Sequence, residues 1–186
     1  MNIAQDESMP AAPVQRILAA AKFASEKHAA QKRKGTAAEP YVNHLIEVAQ
    51  LIALSSEQLD ANLVMAGLLH DTIEDTGTTA AELEREFGSD VASLVVELTD
   101  DKSQPKEVRK ALQVANAPHK TARAQVIKLA DKISNLRSII SSPPASWGDE
   151  RKRDYIAWAQ RVVAALSAPN PILKAEFEKT VATLQN

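Results

Sequence analysis

Between Leu68 and Thr76 the chain reads Leu-Leu-His-Asp-Thr-Ile-Glu-Asp-Thr, an apolar run that stops at His70-Asp71 and is followed within one turn by Glu74-Asp75. An imidazole and three carboxylates gathered at the end of a buried segment are costly to desolvate unless a cation joins them. His70 and Glu74 stand four apart, so a helical turn continued through them would put both on one face. A histidine and aspartates with water completing the shell suit a divalent ion, Mn²⁺ ahead of Zn²⁺ or Fe²⁺ because oxygen dominates the donors. Two further residues can supply ligands. His44 opens a helical stretch after Pro40-Tyr41-Val42-Asn43, and Asp131 interrupts the apolar run that begins at Val126. Lys128 and Asn135 lie about one turn before and after Asp131, which lines up three polar groups on an otherwise apolar helix. Taken singly, His44 also reads as a capping or core histidine and Asp131 as a surface ion-pair partner. His28 and His119 have no such company and read as surface residues.

Helices must position these groups. Ile17, Leu18, Ala21 and Phe23 recur at helical spacing from Val14 to about Ala30, and the basic segment Lys32-Arg33-Lys34-Gly35 follows, then a loop from Thr36 to Pro40. His44 to Leu54 and Asp60 to His70 are two largely apolar helices that belong in the core. The Thr79-x-x-Glu82 spacing predicts a capping box for a helix that stops near Phe87-Gly88, with another over Asp90 to Leu98. Four more helical stretches, Lys106 to Ala115, Thr121 to Ile140, Gly148 to Ala168 and Pro171 to Leu184, are separated by Pro118, Pro143-Pro144, and Pro169 with Pro171. Strand alternation never exceeds a few residues, so the expected fold is all-α, with a leader over residues 1–12 and one compact domain over residues 13–186.

A chain of 186 residues with 45% hydrophobic and 25% charged side chains has the length and composition for one sizeable core. Its net charge of −2 calls for neither nucleic acid nor an acidic membrane as partner. Five glycines, seven aromatics and no cysteine argue against sandwiches, disulfide scaffolds, zinc knuckles and aromatic RNA platforms. Neither a signal-peptide pattern nor an apolar run near membrane-span length occurs, so a soluble cytoplasmic protein is expected. The charge is nevertheless uneven. Thr72 to Asp101 holds nine acids and one base, whereas Lys27 to Lys34 holds four bases and no acid. An acidic patch facing a basic one is what a site for a metal and phosphate requires.

The order His44, His70-Asp71, Asp131 resembles the HD superfamily of metal-dependent phosphohydrolases. Further blocks extend the resemblance: Phe23-Ala24 through His28, Gln31-Lys32-Arg33-Lys34, Pro40-Tyr41-Val42-Asn43-His44, Leu69 through Thr76, Phe87-Gly88, Leu98 through Lys102, and Ile127 through Arg137. Together they are similar to the hydrolase domain of RelA/SpoT proteins, and most of all to the stand-alone small alarmone hydrolases, those of animals included. The likeness runs from about Phe23 to about Leu166. It implies that His44, His70, Asp71 and Asp131 are metal ligands, usually for Mn²⁺, and that Glu74 and Asp75 position and deprotonate the attacking water. It also implies that Arg33 and Lys34 lie beside the nucleotide and that Asn135, Arg151 and Tyr155 touch it, with Lys106 a looser match to a phosphate contact. Leu45 departs from the proline that the family commonly places after the histidine. The synthetase and regulatory domains of the long enzymes have no room here.

The implied reaction removes the 3′-pyrophosphate of a guanosine or adenosine tetra- or pentaphosphate, giving a nucleoside 5′-di- or triphosphate and pyrophosphate. Alternatives remain open: an HD phosphohydrolase acting on another phosphorylated nucleotide such as NADPH, a nucleotide-binding HD module without turnover, or a helical adaptor. His70, Asp71, Glu74 and Asp75 are all present, which favours turnover. The partner expected is a small nucleotide, and the sequence leaves the base and the oligomeric state undecided.

Overall fold

Apolar residues at helical spacing, punctuated by proline and glycine, fold as ten α-helices among the described residues, 12–185 of a computed structural model. In chain order these are α1 (Pro13–Lys27), α2 (Val42–Leu54), α3 (Ala61–Leu69), α4 (Thr72–Asp75), α5 (Ala80–Phe87), α6 (Ser89–Leu98), α7 (Lys106–Asn116), α8 (Ala122–Ser141), α9 (Asp149–Ala164) and α10 (Pro171–Gln185), with a 3₁₀ turn at Ala117–His119. The only bridge of β type among the described residues joins Lys32 to Pro40. Among the described residues no helix is long and apolar enough to cross a membrane. The expected leader lies almost wholly outside the described residues.

The centre is α3, where every residue from Leu63 to Leu69 is buried. A helix apolar on all sides must be surrounded, and α1, α2 and α6 pack around it. The second buried element is α8, which packs on α2 and α10. It differs from α3 in chemistry, because Lys128, Asp131, Lys132 and Ser134 are buried along with its apolar side chains. In contrast, α7 buries no side chain fully, and its polar side chains line a cavity of about 1010 Å³.

The ends of the helices follow local chemistry. Pro13 starts α1, and the Asp60 carboxylate caps α3 by accepting from the Leu63 amide at 2.9 Å. Thr79 caps α5 through the Glu82 amide at 3.1 Å, but the Glu82 carboxylate turns to Lys27 Nζ at 2.9 Å, so only half of the expected box forms. Gly88 has φ 90°, a conformation that side-chain-bearing residues rarely adopt, and it both ends α5 and starts α6. Two expectations need correction. Helix α1 stops at Lys27, short of Ala30, and α9 stops at Ala164, short of Ala168. In the second case Ser167 Oγ donates to the Pro118 carbonyl at 3.0 Å and the Ala168 amide donates to Gln125 Oε1 at 2.8 Å, so tertiary bonds draw the chain off the helix axis.

The basic segment is fastened in the same manner. The Arg33 amide donates to Glu39 O at 2.8 Å and the Tyr41 amide to Gln31 O at 3.0 Å, closing residues 31–41 into a loop. Ser142 at the end of α8 accepts from the Ala37 amide at 2.8 Å. Gly35 makes this docking possible, since a Cβ there would lie 2.1 Å from the Ser142 carbonyl oxygen. Gly35→Ala should therefore displace the loop and lower stability by about 1–3 kcal/mol, read as a fall of several degrees in Tm. Gly77→Ala, where an added Cβ meets nothing within 4 Å, should leave Tm within a degree or two.

Candidate active site

Four side chains from two helices and one turn converge below the cavity floor. His44 comes from the first turn of α2, His70 and Asp71 from the turn after α3, and Asp131 from the middle of α8. Asp71 Oδ2 lies 3.2 Å from His70 Nε2 and 3.7 Å from His44 Nε2. Asp131 Oδ1 lies 3.4 Å from His44 Nε2 and 3.8 Å from His70 Nε2. The two rings stand edge to face with centroids 5.2 Å apart.

Hydrogen bonds fix which nitrogen of each ring points inward. His70 Nδ1 donates to the Gly67 carbonyl at 2.8 Å, and His44 Nδ1 meets Ser134 Oγ at 2.8 Å. Both Nε2 atoms are buried without a hydrogen-bond partner. Two orphaned imidazole nitrogens facing two carboxylates suit a divalent cation, and His44, His70 and Asp131 offer atoms within 4.8 Å of one another. Without a cation, a proton takes its place. Burial opposes charge on His70, but Asp71 and Asp131 outweigh it and raise its pKa to about 10. Burial likewise opposes charge on the two carboxyls, and again the neighbours win. His70 and His44 hold Asp71, and Lys132 with the same histidines holds Asp131, well below the usual carboxylate range.

Glu74 and Asp75 do not lie on one continuous helical face with His70. The backbone turns at His70-Asp71 and α4 begins afresh at Thr72, whose hydroxyl bonds to the Leu69 carbonyl at 2.6 Å. Glu74 Oε2 accepts from the Asp100 amide at 3.3 Å, and Oε1 faces Arg109 Nη1 at 3.4 Å. Burial raises its pKa, and Asp71 and Asp100 raise it further. Asp75 Oδ2 accepts from Gln31 Nε2 at 2.8 Å, and its other oxygen pairs with Lys102.

Above these groups opens a cavity of about 1010 Å³, lined by Arg33, Lys34, Lys106, Asn135, Arg151 and Tyr155 together with Asp75. All six residues expected at a nucleotide are thus brought to one space. Asn135 ties that space to the buried cluster, since its Nδ2 donates to Asp131 Oδ1 at 2.5 Å and its Oδ1 accepts from Arg33 Nη2 at 3.0 Å. The lining carries eight Lys or Arg side chains and four carboxylates, an excess of positive charge suited to phosphates. Burial lowers the pKa of Lys106, with Arg151 and Lys110 adding repulsion. Burial pushes the Tyr155 phenol up to about 12, so it is neutral at physiological pH.

Sequence reasoning missed several lining groups. Tyr41 donates from its hydroxyl to Asp71 Oδ2 at 2.6 Å. Arg109 and Lys110 follow Lys106 at three and four residues, and Trp158 follows Tyr155 at three, spacings that could have found them. Trp147, Tyr155 and Trp158 form a row with neighbouring centroids 5.4 and 5.2 Å apart, and the Arg151 guanidinium lies 4.8 Å from the Trp147 ring centre. His28 is buried, not on the surface: it stacks on Tyr41 at 5.1 Å and its Nδ1 meets Gln31 Oε1 at 2.5 Å. His119 is exposed as expected. Lys128 shares a helix with Asp131 but is buried away from the cavity lining.

A family model described as HD domain matches residues 20–172. The guanosine-3′,5′-bis(diphosphate) 3′-pyrophosphohydrolase MESH1 of Xenopus tropicalis is 44% identical over 162 residues, which cover 87% of this chain and 90% of that protein. The protein of the same name from Homo sapiens is 46% identical over 154 residues, 83% of this chain and 86% of that one. A solved structure described as a metazoan ortholog of SpoT that hydrolyzes ppGpp superimposes with a TM-score of 0.87 at 38% identity, covering 95% of this chain and 98% of that chain. With a fold and a near full-length likeness of this kind, the chain belongs to the HD domain family, in the group that contains the MESH1 proteins.

Proposed function

We propose that this protein is a metal-dependent pyrophosphohydrolase that removes the 3′-pyrophosphate from (p)ppGpp, (p)ppApp or both, giving GDP/GTP or ADP/ATP and pyrophosphate. The observation that carries the reading is the pair of orphaned, buried Nε2 atoms of His44 and His70 facing Asp71 and Asp131 beneath a cation-lined cavity. The near full-length relatives named for this reaction support it. In this reading residues 13–186 form the hydrolase domain, the protein works in the cytoplasm, and its partner is a small nucleotide.

His44, His70, Asp71 and Asp131 hold the ion, with Mn²⁺ the ion proposed. When bound, such an ion lowers the pKa of water and withdraws charge from a phosphoryl oxygen. Glu74 accepts the proton of the attacking water, because burial and its carboxylate neighbours raise its basicity. Asp75, held by Gln31 and Lys102, orients that water. Arg33 and Lys34 from the loop grip phosphate on one side, while Lys106 and Arg151 from α7 and α9 grip it on the other. Tyr155 and Asn135 complete the contacts to the nucleoside. A nucleotide charged at both its 5′ and 3′ ends engages both sets of cations, whereas a 5′-mononucleotide leaves one set unpaired.

The raised pKa of His70 has a definite sign. A histidine that titrates near 10 carries its proton at neutral pH, and a metal ligand must give it up. Mn²⁺ binding to the metal-free protein at pH 7.5 should release about one proton, measured by calorimetry in buffers of different ionisation heat. Affinity should rise with pH by up to about tenfold per unit until His70 titrates; heats independent of buffer would mean that His70 carries no extra proton before the ion binds. Exhaustive chelation should abolish turnover and Mn²⁺ should restore it.

Glu74→Gln and Asp75→Asn should each lower kcat by about a hundredfold or more with folding intact, as loss of a water-activating group does. Near wild-type rates for both in saturating Mn²⁺ would mean the base lies elsewhere. Chromatography of reactions with guanine and adenine substrates side by side tests the reaction itself. Intact pyrophosphate should appear with the nucleoside 5′-di- or triphosphate, and stepwise orthophosphate release or equal cleavage of a 5′-mononucleotide would overturn it.

A further inference from the structure

His44 is held from behind by residues that line no part of the cavity. Its Nδ1 meets Ser134 Oγ at 2.8 Å, and Ser134 Oγ lies 2.6 Å from Glu47 Oε2. Ser134 is buried on α8, and Glu47 is one turn after His44 on α2. The other Glu47 oxygen accepts from Arg137 Nη1 at 2.8 Å, and Arg137 Nη2 donates to Glu176 on α10 at 2.7 Å. Neither Glu47, Ser134 nor Arg137 is among the cavity residues.

The protons in this chain can be placed by elimination. The Glu47 carboxylate, paired with the Arg137 guanidinium at 2.8 Å, only accepts. The single Ser134 hydroxyl proton therefore goes to Glu47. With that proton committed, Ser134 Oγ can only accept from His44, so Nδ1 carries the ring proton. A neutral imidazole protonated at Nδ1 has its lone pair at Nε2, the atom that lies buried without a partner 3.4 Å from Asp131 Oδ1. At His70 the proton on Nδ1 is fixed by a simpler route, through a backbone carbonyl that cannot donate, so that once the ring gives up its second proton the lone pair is at Nε2.

We propose that Ser134 and Glu47 are positioning residues for the metal, holding His44 in the tautomer and ring orientation that turn Nε2 toward Asp71 and Asp131. The inference rests on the ligand assignment above and deepens it. Outer partners of this type alter metal affinity by about 10–100-fold when removed. Because they do not touch the cavity, their loss should act on the metal and spare substrate recognition.

The test measures the Mn²⁺ Kd of metal-free protein by electron paramagnetic resonance of the free ion, alongside KM at saturating Mn²⁺. Ser134→Ala should weaken Mn²⁺ binding about 10–100-fold. Activity should return at high Mn²⁺ and KM should stay within about twofold. Ser134→Thr, which keeps the hydroxyl, should restore most of the affinity. Glu47→Gln, which removes the charge that claims the hydroxyl proton, should weaken Mn²⁺ binding by an intermediate factor. It also serves if Ser134→Ala does not fold, because the Glu47 side chain is 31% exposed and its loss opens no cavity. If wild-type protein binds no Mn²⁺, the ligand assignment itself fails. If wild-type protein binds Mn²⁺ and the folded variants match it within threefold, Ser134 and Glu47 have only a structural role and the proposal is overturned.

Discussion

Two imidazoles and two carboxylates held together in the interior constrain everything else in this protein. His44, His70 and Asp131 are no more than 9% exposed, and desolvating such groups is expensive unless each charge finds a partner. The partners are built in at several levels. Asp131 has Lys132 on one oxygen at 3.0 Å and Asn135 on the other at 2.5 Å. Asp71 has the Tyr41 hydroxyl, and each histidine has an acceptor behind its Nδ1. Inward, toward one another, the two Nε2 atoms have none. That asymmetry, full satisfaction behind and none in front, is what a cation site requires and what an ordinary polar core lacks.

The same constraint explains the shape of the central helices. A helix continuing past Leu69 would carry His70 and Asp71 onward around its axis. Instead the chain turns there, and both face the space between α2 and α8. Helix α8 accepts buried lysines to serve the site. Lys132 is raised in pKa because Asp131 outweighs burial, and its ammonium lies 4.3 Å from the Trp158 ring centre. Lys128 is lowered, because burial and the neighbouring Lys132 both disfavour its charge. The two lysines are one turn apart and differ in whether a carboxylate lies within reach.

Around the cluster, charge is sorted by layer. Carboxylates lie deepest, at Asp71, Asp131, Glu74 and Asp75, while cations from the loop, α7 and α9 line the cavity above them. Arg109 and Lys102 cross between layers, pairing with Glu74 and Asp75. Helix α7 carries much of the positive wall without burying a side chain, so polar contacts such as Gln113 to Asp100 at 2.5 Å and Trp158 Nε1 to the Lys110 carbonyl at 3.0 Å hold it in place.

Nearly all the helices were legible in the sequence because helical periodicity, proline and capping residues are local signals. The buried cluster of histidines and carboxylates was legible for a related reason: charges that interrupt the apolar runs ending at His70 and surrounding Asp131 are costly wherever those runs pack. Where tertiary bonds overrode local ones, the reading failed. The capping box lost its glutamate to Lys27, and α9 ended early on bonds to Pro118 and Gln125. His28 looked like a surface histidine because no ligand-type residues accompany it in the sequence, yet Tyr41, thirteen residues on, provides the ring it stacks on. By itself the sequence determined the helices, the acidic and basic segments and the ligand-type residues, since each depends on neighbours within a few positions. Only the tertiary structure decided that Asn135 joins Arg33 to Asp131 and that Ser134 and Glu47 back His44, because those contacts span 87 to 102 residues of chain and exist only once α2 and α8 are packed.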